Sequence, residues 1–300
     1  MKKRLLSLLL AVCGVFAFTA CGGGDDSSAD PNQPYGSYEL TDFVGDDTYT
    51  IVGAKYTLTT SGETPTELGE SGANTVVQGE ENGYTLLTVK GMESSAICPA
   101  AGGTLTFRNL TIVGGKSQST AELPTYRAGY FGVGGNIRFE NCVIDGSVQI
   151  RENADVTFEG CTFRSPAQNK YSVWMSDGSV KFENCDFDGY RGLKLHEQPQ
   201  YGYDIETVRL SDCRFNELSA KPGIAIGDIV VSDPADTALI VQDCLFLGCA
   251  AWDTEGSREG VDGFYESDVS VDSFAFTVSD VEVDGEIWNS PRGVEPQMPE

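Results

Sequence analysis

The chain has 300 residues, 20 Lys+Arg against 45 Asp+Glu, and a net charge of −25. A surface of that sign repels nucleic acid and anionic lipid, so no nucleic-acid partner is expected; a polyanionic polysaccharide would need a basic patch or a bridging cation, while a neutral glycan or another protein meets no such penalty. With His196 as the single histidine, a multi-histidine metal centre within one chain is excluded, and there is no G-x-S-x-G, H-E-x-x-H or phosphate-binding glycine loop.

Residues 1–20 read as an export leader. Lys2, Lys3 and Arg4 form a basic head, and Leu5 to Phe18 is an apolar run too short to span a bilayer as a mature helix. The run ends in Phe18-Thr19-Ala20-Cys21, and small residues just before a cysteine resemble the lipobox of bacterial lipoproteins. That resemblance implies cleavage before Cys21, a diacylglycerol on its thiol, and an exported protein held by lipid in a membrane, at the cell surface or in the periplasm. Residues 21–36 are mostly Gly, Asp, Ser, Pro and Asn and read as the flexible linker that such an anchor needs. A single folded domain is expected over residues 37–291, with 292–300 as a tail.

The domain opens on irregular strands, Tyr49 to Thr60, Thr75 to Gln78 and Thr85 to Lys90. Then a phrase recurs. LTFRNLTI runs from Leu105 to Ile112, IRFENCVI from Ile137 to Ile144, VTFEGCTF from Val156 to Phe163, VKFENCDF from Val180 to Phe187, VRLSDCRF from Val208 to Phe215 and LIVQDCLF from Leu239 to Phe246. Each is an alternating strand, a turn residue, then a second short strand that points its first and third side chains inward. The turn residues are Asn109, Asn141, Gly160, Asn184, Asp212 and Asp243, all types that tolerate the left-handed backbone of a tight bend. A third strand follows several of these pairs, at Ser147 to Ile150, Ser172 to Met175, Gly192 to Leu195 and Gly223 to Ile226. Asp268 to Trp288 alternates again, studded with acids, and reads as last coils or a closing ribbon.

Repeats of this kind indicate a solenoid. Three short strands per repeat with one tight bend resemble the right-handed parallel β-helix of the pectate-lyase-like class. The resemblance implies an all-β, single-chain helix of three strands per coil with N- and C-terminal caps, and a monomer. A leucine-rich-repeat horseshoe needs one strand per repeat, which the second and third strands argue against. In the β-helix, Cys142, Cys161, Cys185, Cys213 and Cys244 form an interior column, and side chains in parallel make poor disulfide geometry, so free buried thiols are expected. The bend asparagines are expected to hydrogen-bond along the axis as a ladder.

By the same resemblance the third strand corresponds to the family's first sheet, whose groove binds sugar polymers. Its outward positions are expected to be Gln149, Trp174, Lys194 and Ala225 in one row, and Arg151, Ser176, His196 and Gly227 in the next, with Glu152, Asp177, Glu197, Tyr201, Tyr203, Asp204 and Asp228 in the loops beyond. Trp174, between the core pair Val173 and Met175, faces outward as a stacking surface for a sugar ring, or is covered by the loop from Gln198 to Glu206. Ligand-binding candidates are Trp174, Gln149, Arg151, Lys194 and Asp177. If the protein is an enzyme, His196, Lys194 and Glu197, which follow Arg191 in YRGLKLHE, are the catalytic candidates, with Arg151 or Asp177: a cation column beside the groove neutralises a uronate carboxylate and Lys194 or His196 is the base of a lyase, or Glu197 with Asp177 or Asp228 is the acid/base pair of a hydrolase. The alternative for these residues is a solvated strand face.

The segment Cys142 to Ala154, CVIDGSVQIRENA, is similar to the pectin-methylesterase segment that ends on a catalytic aspartate, but Gln149 stands at that position and an amide cannot act as the nucleophile. Asp25-Asp26, Asp46-Asp47 and the acids from Asp253 to Asp284 are candidates for calcium without the spacing of a calcium loop; no cofactor is otherwise expected. The reading is therefore a lipid-anchored β-helix whose function is non-catalytic binding of a polysaccharide, glycan or surface component, or alternatively a polysaccharide-active lyase or glycoside hydrolase.

Overall fold

A computed structural model describes residues 36–39, 45–51, 55–59, 66–80, 86–90, 96–113, 130–164, 171–218, 223–252, 269 and 271–288. The leader, Cys21, the linker up to residue 35, the acids from Asp253 to Asp268 and the tail lie outside the described residues. Among the described residues no helix is long and apolar enough to cross a membrane.

Alternation in the sequence becomes strand throughout. The described residues form three sheets of eleven, nine and eight strands, with only two short 3-10 turns between them. From Thr48 to Val283 the strands are dealt to the three sheets in rotation, so that each strand within that run pairs with strands three places away in the sequence of elements. The nine-stranded sheet collects the first strands of the repeat, among them Asn136–Glu140, Asp155–Glu159 and Gly178–Glu183. The eleven-stranded sheet collects the second strands, such as Thr162–Phe163 and Asp186–Phe187. The eight-stranded sheet collects the third, including Ser147–Ile150, Tyr171–Met175, Arg191–His196 and Ile224–Val230.

Register places equivalent phrases side by side, with Val156 opposite Val180 and Phe158 opposite Phe182. Like side chains therefore pile up. Phe139, Phe158 and Phe182 stack at 4.7 and 5.1 Å, and Phe163, Phe187, Phe215 and Phe246 at 4.5, 4.3 and 4.8 Å with near-parallel planes. Such ring pairs contribute about 0.5–1.5 kcal/mol each beyond the area they bury.

The bends hold as the sequence suggests. Asn109, Asn141, Gly160, Asn184, Asp212 and Asp243 all have φ between 51 and 62°. Asp280 at 51° marks one more bend, in a phrase where valine replaces the cysteine. The axial bonds at the bend differ from expectation. The described bends are joined by backbone, Asn141 N–H to Glu159 O at 2.8 Å, Gly160 N–H to Glu183 O at 2.9 Å and Asn184 N–H to Ser211 O at 3.0 Å, and not by a ladder of asparagine side chains. The left-handed residue aims its own N–H at the next repeat, so the amide side chain is not required for that bond.

The thiols at the repeat position are free and each 1 % exposed. Each finds an acceptor: Cys142, Cys161 and Cys185 donate to the carbonyls of Phe107, Phe139 and Phe158 at 3.4, 3.3 and 3.4 Å. A small apolar group with a weak donor fits that interior carbonyl. At the C-terminal end, Ala275–Ser279 and Val281–Val283 extend two sheets in parallel, and Glu286–Trp288 folds back antiparallel on Val281–Val283.

Candidate functional site

The third-strand sheet positions most of the candidate residues, and its rows differ from the expected ones at one place. Gln149, Trp174 and Lys194 are neighbours in one row, but the next member is Gly227 and not Ala225. The strand Ile224–Val230 is longer than the repeat phrase suggests, and pairing slips between Lys194 and His196. Asp228, expected in a loop, lies in that strand with φ at 51°. A bulge re-aims a side chain, and here it brings the Asp228 carboxylate to two candidates. Lys194 Nζ is ion-paired with Asp228 Oδ2, and His196 Nδ1 lies 3.5 Å from Asp228 Oδ1.

Trp174 is half-buried and tied on two sides. Its Nε1–H donates to the carbonyl of His196 at 2.9 Å, and Lys194 Nζ sits 4.8 Å from the centre of its ring. The ammonium thus bridges a carboxylate and an aromatic face, a cation–π contact. The indole lies outside the core, as its alternation demands, with one of its surroundings already a cation.

Gln149 is buried under the loop that starts at Gln198: its Nε2–H2 donates to Ser176 Oγ at 3.0 Å and to Gln198 Oε1 at 3.1 Å. The carboxylates are equally committed. Glu197, 3 % exposed, accepts the backbone N–H of Ile205 at 3.1 Å and of Ser232 at 2.6 Å. Asp177, also buried, accepts those of Asn153 at 2.5 Å and Asp204 at 3.1 Å. Each pins two loops to the sheet's end. Asp204 is pushed above the usual carboxylate range by lost hydration on its inner side and by its hydrogen bond to Glu197.

The remaining cations of this face are withdrawn from solvent. Arg191 is 2 % exposed, with its guanidinium 5.4 and 5.6 Å from the ring centres of Tyr171 and Tyr190. Arg151 is buried at 9 % exposure. The next two residues, Glu152 and Asn153, both have left-handed φ, 63 and 51°. Tyr203 reinforces that turn, its hydroxyl donating to Glu152 Oε1 at 2.5 Å; burial and this bond raise the phenol well above its ordinary range.

Two features stand out that the repeat pattern does not announce. Tyr201 is 61 % exposed, on the loop that covers Gln149, with its ring 5.8 Å from that of Tyr203. Beyond Asp177 a cleft of about 370 Å³ opens, with Asn153, Asp155, Asp177, Ser179 and Glu206 supplying its polar wall. It forms at the corner between third and first strands of neighbouring repeats, so no contiguous motif spells it. Cys21 and most of the proposed calcium-binding acids lie outside the described residues, and among the described residues no group of three or more His, Cys, Asp or Glu could hold a metal ion. No protein-family model, curated protein or solved structure matches this chain.

Proposed function

We propose that the three parallel sheets are the walls of a right-handed parallel β-helix, capped at both ends, and that the protein is a lipid-anchored, non-catalytic binder of a glycan or other surface component, acting as a monomer through its third-strand face. The rotation of strands through the sheets supports the first part. The leader and Cys21 support the anchor: the mature protein's mass should carry a diacylglyceryl group, and Cys21→Ala should lose it.

One observation carries the non-catalytic reading. The residues that chemistry would need already hold the fold: Lys194 is paired with Asp228, Glu197 receives two backbone N–H groups and Asp177 two more. A general base must be within hydrogen-bond reach of a substrate proton, and these groups point at their own chain. Trp174 is the half-exposed aromatic of the face.

The test is a glycan array read for both retention and cleavage. Retention without product is expected, and Trp174→Ala should abolish it. Because the indole N–H bonds to His196, this variant should also lose about 0.5–1.5 kcal/mol of stability, and Trp174→Phe controls for ring loss. Ultraviolet-absorbing unsaturated product from a uronate polymer, stopped by His196→Ala, would replace this reading with a lyase.

A further inference from the structure

We infer that the cleft beside Asp177, together with the exposed ring of Tyr201, takes a neutral, hydroxyl-rich oligosaccharide and discriminates against uronates. This rests on the glycan reading above and adds the ligand class and the point of contact.

The chemistry of the wall sets the class. Asp155 and Glu206 are exposed carboxylates, Ser179 Oγ lies 3.3 Å from Glu206 Oε2, and Asn153 completes the rim. Carboxylate oxygens accept hydrogen bonds, and sugar hydroxyls donate them in short, charge-assisted contacts. A uronate would bring its own negative charge to the same oxygens. The nearby cations are engaged or buried: Lys194 is paired with Asp228, Lys181, two residues beyond Ser179, with Glu183, Arg191 is buried against two tyrosines, and Arg151 is buried. A chain of net charge −25 adds long-range repulsion.

The aromatic half of the site is held in place. The loop from Gln198 is tied to the sheet by Gln198 to Gln149, Tyr203 to Glu152, and the N–H groups of Asp204 and Ile205 to Asp177 and Glu197. Tyr201 therefore projects from a fixed support and loses little freedom on contact. Asp177 is shared: it walls the cleft and receives the residue next to Tyr203. Along the chain Tyr203 lies between Tyr201 and the Asp204 N–H that bonds the cleft wall at Asp177, so tetramers, long enough to reach from one to the other, are the ligands to test.

The experiment is calorimetric titration of the full chain in detergent with cellotetraose, xylotetraose, mannotetraose and tetragalacturonate. Binding of at least one neutral tetramer is expected, at least tenfold tighter than the galacturonate. Tyr201→Ala and Glu206→Gln, both at exposed positions, should each weaken it tenfold or more at unchanged melting temperature. If a neutral tetramer binds but neither variant weakens it, or if the galacturonate binds as well, this inference is overturned while glycan binding stands. If nothing binds, glycan recognition itself falls and this site with it.

Discussion

Asp228 meets two demands with one side chain. Its backbone is left-handed, which aspartate tolerates better than most residues, and its carboxylate meets Lys194 and His196. Lys194 is 17 % exposed at its side chain and Asp228 7 %, so the pair is shielded from solvent on both members. Removing one partner of a buried pair leaves the other charge uncompensated. Asp228→Asn keeps the left-handed tolerance and removes only the charge; it should cost about 1–3 kcal/mol in urea unfolding, and it should free the ammonium over Trp174, altering the indole fluorescence. Unchanged stability and fluorescence together would mean that the pair contributes nothing. None of this could be read from the sequence. Gly227-Asp228 reads as a loop after the strand Gly223 to Ile226, whereas the strand runs on to Val230 and its bulge arises from pairing with a strand more than 30 residues earlier.

Among the elements, the tight corners decide where the chain tolerates change, and two glycines separate backbone strain from collision. Gly178 and Gly202 both have positive φ, 72 and 75°. A Cβ on Gly178 would lie 2.2 Å from the carbonyl oxygen of Ala154 in the neighbouring repeat, whereas a Cβ on Gly202 would meet nothing within 4 Å. Gly202→Ala should therefore cost only the conformational penalty, about 1–2 kcal/mol, and Gly178→Ala several kcal/mol or a failure to fold; equal costs, measured by thermal unfolding, would refute the collision. The element scale was the most legible from sequence. Asn, Gly or Asp at six bend positions and alternation on either side were sufficient to place first and second strands, because a left-handed residue and a period of two leave few alternatives. Asp280 escaped notice because its phrase lacks the cysteine. The cleft escaped because Asp155, Asp177 and Glu206 come from separate units, brought together by loops whose lengths vary.

Across the whole molecule the buried thiols act together. Cys98 and Cys249 are pushed up to about 12 mainly by burial, Cys213 to about 12 by its hydrogen bond to Cys185 and then by burial, and Cys161, Cys185 and Cys244 are raised further still. In the unfolded chain they ionise near the ordinary value of 9.0. Between those limits the unfolded state holds fewer protons, so stability must fall as pH rises from about 9 towards 12 and is unaffected by these groups below that window. The urea midpoint should decline over that range, and Cys213→Ala should decline less steeply; a flat profile would show the thiols to be reachable by solvent in the native state.

The same column gives the nascent chain a chemical deadline. A thiol that donates to an interior carbonyl is beyond the reach of an oxidant, but its equal in an unfolded chain is a ready nucleophile. Among the described residues seven thiols are free, five of them in this column, and they permit many wrong pairings and, by the native arrangement, no right one. Folding must outrun oxidation, so speed of folding, more than final stability, determines how much intact protein is obtained wherever the surroundings are oxidising.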